Sequence, residues 1–289
     1  MKVSGCTFVK NAEKYGYPVV ESIQSILPLV DEMIVCVGDS DDATNEMIEN
    51  IGSSKIKLVH SVWDKNLTKD GKVLAVETNK ALDAVDAKSD WLFYIQADEV
   101  VHEKYHVAIK DAMEKYLGNK KVEGLLFRYR HFFGSYKFIG DGRKWYSKEI
   151  RIIRNDKNIR SYRDAQGFRW SDNRKLNVKL IDAYIFHYGW VKHPLTMFKK
   201  WAAIGKLWSD DNREERTSGK EYDYSGVDSV SLYKDTHPAV MQSLVESEDW
   251  VTDVDVNKKN FKNFKHRFLY FIEQKFGWKP FEYSNYKRI

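Results

Sequence analysis

Two cysteines, Cys6 and Cys36, and five prolines in 289 residues leave little room for several architectures. Both cysteines sit inside apolar runs, which excludes a disulfide framework or a cysteine zinc cluster and predicts small buried core residues. So few prolines, with only 16 glycines, exclude a collagen-like or low-complexity chain. No apolar run approaches the roughly 18 residues that cross a bilayer. The opening Met1-Lys2-Val3-Ser4-Gly5-Cys6 lacks the apolar core of a secretory signal, so a cytoplasmic chain is expected. Arginine-rich runs and nucleic-acid motifs are also missing, and nucleic acid is not an expected partner.

What is present is a folded composition, 43% hydrophobic and 31% charged, long enough for one large domain or two small ones. The net charge of +5 hides an uneven distribution. Residues 209–257 carry 13 acidic and 4 basic side chains, whereas 258–289 carry 9 basic and 2 acidic. These neighbouring tracts can neutralise each other; otherwise the basic excess points to phosphate-bearing small molecules or an anionic membrane surface.

The first hundred residues alternate strand and helix patterns, the mark of a parallel sheet with crossover helices. Lys2 to Val9 reads as a strand, and Val19, Val20, Ile23, Ile26 and Leu27 share one helix face until Pro28 ends it. Met33 to Val37 is a continuous apolar run suited to a strand buried on both faces. Lys55 to Trp63 is a third strand, Leu74 to Val85 a third helix, and Trp91 to Ile95 a central strand. Beyond it the alternation stops: Val122 to Phe133, Glu149 to Arg154 and Asp182 to Tyr188 predict a mixed sheet with long loops. Helical patterns return at Leu195 to Trp208 and Phe261 to Phe276.

Ligands of open parallel sheets bind at the carboxyl ends of the strands, and acidic loops fall there. Asp39, Asp41 and Asp42 follow the second strand and could equally cap a helix. Asp98 and Glu99 follow five apolar residues on rigid scaffold, where carboxylate oxygens suit Mg²⁺ or Mn²⁺ bridging a substrate's phosphates, or cap the helix holding Tyr105, Ile109 and Met113. His187 ends a later apolar strand and reads as a packed core histidine or as a ligand. Lys69, Lys72, Arg143 and Lys148 could neutralise a diphosphate or simply be solvated.

Four segments together resemble the family 2 glycosyltransferases of GT-A fold. They are Thr7-Phe8-Val9-Lys10-Asn11, the Gly38-to-Thr44 loop, Asn79-Lys80-Ala81-Leu82, and Asp90-Trp91-Leu92-Phe93-Tyr94-Ile95-Gln96-Ala97-Asp98-Glu99. Arg151-Ile152-Ile153-Arg154-Asn155 and His187-Tyr188-Gly189-Trp190 look like elements of its bacterial lipopolysaccharide-type branch. The resemblance implies an α/β fold, a Rossmann-like, mostly parallel sheet flanked by helices, with a helical C-terminal extension. It divides the chain into a glycosyltransferase domain at 1–208, with a nucleotide-sugar half to about 103 and an acceptor half over 104–208, and an extension at 209–289. It implies a nucleotide-sugar donor held by Thr7, Asn11, Asp39, Lys72, Gln96 and Ala97, and Mn²⁺ or Mg²⁺ held by Asp98 and completed by His187. Gln96 stands where the family's first motif aspartate usually sits, and Val37 and Gly38 where an acidic pair usually precedes the turn.

Inverting transfer also needs a base for the acceptor hydroxyl. Downstream of Asp98, Asp164 is the first choice and Asp141, between Gly140 and Gly142, the second, although Asp beside Gly is commonly a turn residue. Trp145, Tyr146, Trp170 and Trp190 are candidates for stacking on an acceptor glycan, or core. The tract 258–289 interleaves lysine with aromatic residues, as a membrane-docking segment would, or a helix packed on the domain or at a dimer contact. A non-catalytic nucleotide-sugar binder, with Gln96 marking a decayed site, is the alternative. A sugar nucleotidyltransferase fits less well, because no glycine-rich loop follows the first strand.

Overall fold

The computed structural model describes residues 1–67, 69–207 and 221–289. The chain opens with β1 (Val3–Val9), α1 (Val19–Ile26), β2 (Glu32–Val37), α2 (Thr44–Glu49), β3 (Ile56–His60), α3 (Lys72–Asp83) and β4 (Trp91–Tyr94). These four strands are parallel in the order β3-β2-β1-β4, as crossover helices dictate. Every residue of β2 is buried because both faces are covered. Val35 and Val37 point to a core shared with α1 and α2, while Ile34 and Cys36 point to a second core against α3. Cys6 and Cys36 are free and buried, as expected. Pro28 lies in a short 3₁₀ turn that ends the first helix.

The chain continues through β5 (Glu99–Val101), α4 (His106–Tyr116), β6 (Gly124–Phe133), β7 (Ser135–Gly140), β8 (Lys148–Arg154), β9 (Ile159–Tyr162), β10 (Gly167–Trp170) and β11 (Leu176–Trp190). It then forms α5 (Pro194–Leu207), β12 (Val230–Leu232), α6 (Gln242–Glu246), α7 (Phe264–Phe276) and β13 (Tyr286–Arg288). The result is the expected α/β class. The second half makes the sheet mixed, as its segments predict, since β8 pairs antiparallel with both β4 and β6, and β6–β7, β7–β12 and β5–β11 are antiparallel too, so the sheet as a whole is less parallel than the resemblance implies. Gly134 alone separates β6 from β7, and so short a link permits only a hairpin. Its φ of 75° is the left-handed conformation that the turn requires.

The C-terminal portion is also less helical than expected. After α7 the chain returns to the sheet as β13, pairing parallel with the start of β11, and β12 closes the β7 edge. The expected boundary at 208, the end of the helix at Trp208 and the start of the acidic tract lie outside the described residues. Among the described residues no helix is long and apolar enough to cross a membrane.

Candidate functional site

β1 has β2 on one side and β4 on the other, so the loops leaving β1 and β4 diverge and open a crevice at their carboxyl ends. A cavity of about 430 Å³ lies there. Its floor is Phe8, Val9, Lys10 and Asn11 after β1 and Gln96, Ala97 and Asp98 after β4; Tyr15, Tyr17, Trp63 and the α5 side chains Lys200, Ala203, Ile204 and Leu207 wall it. Asn11 turns the chain with φ 55°, a conformation asparagine tolerates, and its Oδ1 accepts from Asp41 N at 3.0 Å, locking the first loop to the second. Asp39 does not line the cavity. It accepts from Lys10 Nζ at 2.6 Å and from Trp63 N at 3.2 Å, and so positions two residues that do. Gly38 is glycine for a local reason, since a Cβ there would collide with the Trp63 indole. Asp42, one residue ahead of the α2 N-cap Ala43, accepts from Thr44 N at 3.1 Å, a turn just before the helix rather than its cap.

The chemistry concentrates around Asp98. Its Oδ2 accepts from Lys200 Nζ at 3.2 Å, and its Oδ1 lies 3.8 Å from His187 Nε2. The tautomer of His187 follows from its neighbours. His131 Nε2 lies 2.8 Å from the Tyr146 carbonyl and can only donate to it, which leaves His131 Nδ1 as an acceptor. His187 Nδ1, 3.1 Å away, therefore donates to it, and His187 Nε2 carries a lone pair toward Asp98. Burial holds the pKa values of both histidines below the ordinary value, so both are neutral near pH 7. Asp98 is the opposite case: burial pushes its carboxyl up, but Lys200, His187 and Lys192 outweigh that and keep it ionised.

A carboxylate oxygen and a nitrogen lone pair thus face each other with no proton between them, an arrangement suited to a cation. Gly189 completes it, because a Cβ there would stand 2.7 Å from both Asp98 Oδ2 and His187 Nε2 and fill the cradle. These donors fit a divalent ion that takes its remaining oxygens from substrate and water. Among the described residues no three His, Cys, Asp or Glu side chains converge.

Glu99 is not part of that site. Arg151 donates to both its oxygens at 2.7 Å, Tyr129 OH donates at 2.8 Å and Gln96 N at 3.1 Å, with Glu99 and Arg151 themselves fully buried. The adjacent carboxylates expected to form a pair on the crevice divide into one that faces it and one that anchors the turn beneath.

Of the two candidate bases, Asp164 lies in the β9–β10 hairpin between Arg163 and Ala165, both with positive φ (55° and 61°). The Ala165 carbonyl accepts from Gln96 Nε2 at 3.3 Å, bringing this hairpin to the rim of the cavity. Asp164 Oδ1 is buried without a hydrogen-bond partner, and burial raises the carboxyl pKa. Asp141 is engaged elsewhere: Ser229 Oγ donates to one oxygen and Tyr270 OH to the other at 3.1 Å.

Sequence reasoning missed Glu149, Lys192 and Lys200. Lys200 and Lys192 are buried, stacked over Tyr17 at 4.6 and 5.0 Å, and Lys192 donates to the Gly16 carbonyl. The available signal was that α5 begins four residues after the strand carrying His187, on the same edge. Thr7 is fully buried and does not line the cavity, and Lys69 and Lys72 are exposed outside its lining. Arg143 binds Glu273 and the Pro280 carbonyl, and Lys148 donates to Ser147 Oγ. Trp145 stacks on His131, Trp170 on Arg174, and Trp190 packs against Trp145 and Trp201; Tyr146 meets His131 edge-on.

Glu149, on β8, is 8% exposed, and its Oε2 has no hydrogen-bond partner. Burial first, and then Glu99, Glu282 and Asp164 against the opposing Arg151, push its pKa up to about 8. The unfolded side chain ionises near its ordinary value while the folded one keeps its proton, so stability falls as pH rises between those two values. Glu149→Gln is expected to remove that loss, gaining on the parent by up to about 1.4 kcal/mol per pH unit through the window. Denaturant midpoints near pH 5 and near pH 8 measure it, and parallel profiles for the two chains would refute a neutral Glu149.

No family model matches the chain, and no curated protein does. Among solved structures, it is similar to glucosyl-3-phosphoglycerate synthase from Mycobacterium tuberculosis in complex with Mn²⁺, uridine diphosphate and phosphoglyceric acid. That likeness has 19% identity over 45% of this chain and 43% of that one, with a TM-score of 0.32. It is also similar to S. aureus TarS (16% identity, 71% of this chain and 39% of that one, TM-score 0.39) and to TarS 1-349 (17% identity, 75% and 73%, TM-score 0.37). The chain spans less than half the length of the first two.

Proposed function

We propose that the chain is a metal-assisted, inverting glycosyltransferase that moves a sugar from a nucleotide-sugar donor to a glycan or lipid-linked acceptor in cell-surface polysaccharide synthesis. The observation that carries this reading is the Asp98 carboxylate facing the His187 lone pair over Gly189 at the mouth of the cavity. Bound by Asp98 and His187, Mn²⁺ or Mg²⁺ would supply Lewis acidity toward a departing diphosphate.

The chain's own residues do the remainder. Phe8, Tyr15 and Trp63 offer apolar faces for a nucleobase, and the Trp63 Nε1 proton has no partner among the described residues. Gln96, neutral where an aspartate is usual, presents an amide whose oxygen can accept from a ribose hydroxyl. Lys200 and Lys192 stand behind Asp98. Burial pushes both ammonium pKa values down, and the negative charge of a diphosphate beside them would offset that. Asp164 supports the role of base better than Asp141. Its hairpin reaches Gln96 and its free oxygen is unclaimed, whereas both oxygens of Asp141 accept hydrogen bonds from Ser229 and Tyr270. A carboxyl whose pKa is raised is better matched to taking a proton near neutral pH.

The test is a titration with UDP-, GDP-, ADP- and dTDP-sugars, with and without Mn²⁺, read as bound nucleotide and as released nucleoside diphosphate. One donor class is expected to bind more tightly with Mn²⁺ and to release its diphosphate. Metal-independent binding without turnover would favour the decayed, non-catalytic binder, and no binding by any donor would remove both readings.

A further inference from the structure

A helix on a globular surface ordinarily turns its apolar stripe inward. In α7 Leu269, Tyr270 and Ile272 are half-buried on the inner side, but a second apolar face is turned outward. Phe264, Phe268 and Phe271, spaced i, i+4 and i+7 on one face, are 81%, 52% and 53% exposed. The chain beyond extends the same character through Phe276, Trp278 and Phe281, which are 63%, 66% and 89% exposed. No residue of α7 is buried.

Polar contacts hold the helix in this orientation. Tyr270 OH donates to Asp141, and Glu273 pairs with Arg143 at 3.2 Å and with Lys279 at 3.6 Å. Asn263 caps the first turn by accepting from His266 N at 3.0 Å, and Gly277 ends the last with φ 63°. The aromatic stripe therefore faces outward from a fixed helix.

The charge around the stripe is of one sign. Residues 258–289 carry 9 basic and 2 acidic side chains, and both acids are taken: Glu273 as above, and Glu282 by Ser147 N at 2.7 Å and Ser147 Oγ at 2.6 Å. Lys262, Lys265, Arg267 and Lys275 are exposed beside the phenylalanines. The acidic tract does not neutralise them through its described ion pairs, since Asp228 pairs with Lys144 and Asp235 with Lys104 and Arg130.

From this outward aromatic stripe with its basic rim we propose that α7 and the segment 278–283 form a docking surface for an anionic phospholipid bilayer. The helix lies in the plane of the membrane, the phenylalanines and Trp278 enter the headgroup–acyl boundary, and the lysine and arginine side chains reach the phosphates. A protein partner would suit branched aliphatic side chains and a mixed-charge rim equally well. Aromatics serve protein interfaces too, so the discriminating feature is the basic rim whose only two acids are already paired, which matches an anionic lipid surface. The surface is separate from the cavity and does not depend on its chemistry.

Flotation of the full chain with vesicles of phosphatidylcholine alone, or with about 30 mol% phosphatidylglycerol, tests it. Binding is expected with the anionic vesicles, at least tenfold above the neutral ones, and lost in high salt. Phe264→Ala, Phe268→Ala and Phe271→Ala together are expected to reduce binding at least tenfold. These side chains are exposed, so the thermal midpoint should stay unchanged, which separates lost docking from lost folding. Failure of the parent to float, or equal flotation of parent and triple variant, would overturn the proposal. So would a concentration-dependent dimer that the triple variant dissolves, because a second copy of the chain would then be what covers the stripe.

Discussion

Asp98→Asn is expected to lower release of nucleoside diphosphate by roughly 10³-fold and to abolish any gain in nucleotide affinity from Mn²⁺, the scale on which removing one charge-stabilising contact acts in a pre-organised site. Asparagine keeps the shape and one oxygen, so Lys200 can still donate, but the charge that balances Lys200 and faces His187 is gone. The buried ammonium then stands nearer to unpaired, and a modest drop in the thermal midpoint should accompany the lost turnover. Adding Lys200→Met should restore the midpoint without restoring turnover. A single variant that keeps both turnover and its response to Mn²⁺ would show that Asp98 does not hold a metal.

The neighbouring position should behave in the opposite way. Arg151→Met leaves Glu99 fully buried with its two guanidinium bonds removed, a loss on the order of 3–5 kcal/mol in unfolding free energy. Glu99→Gln together with Arg151→Met removes both charges and should recover most of that loss, because two neutral groups of similar volume carry no uncompensated charge. Denaturant unfolding of the singles and the double closes the cycle. If Arg151→Met unfolds like the parent, the pair is not what anchors the turn beneath the crevice.

These two expectations rest on a distinction that the sequence contained in part. Asp98 was legible, since an acid directly after a buried apolar strand marks a strand end. Glu99 was grouped with it, although successive side chains in extended backbone point to opposite faces. Glu99 begins β5, whose pairing with β11 turns it inward. The parallel half of the sheet was legible for a similar reason: strands covered on both faces must be apolar throughout, and β2 is.

Less could be read where long-range pairing decides. The lone pair on His187 depends on His131, which is 56 residues away in sequence and sits opposite it in the β6–β11 register. Lys200 reaches Asp98 from a helix whose pattern resembles ordinary amphipathic packing. The outward stripe of α7 has the same spacing it would have if it faced inward, so the half-buried Leu269 and Ile272 and the polar contacts of Tyr270 and Glu273 reveal which way the helix turns. β13 is three residues long and carries no periodicity to read.

The hairpin formed by β9 and β10 is a two-stranded sheet of its own, outside the large one, and it meets the donor crevice through the Gln96 amide. On the proposed function, the candidate base Asp164 therefore stands on an element separate from those that carry Asp98 and His187. Substitutions within 159–170 would then reshape the surroundings of that carboxyl while Asp98, His187 and Gly189, on other elements, keep their geometry.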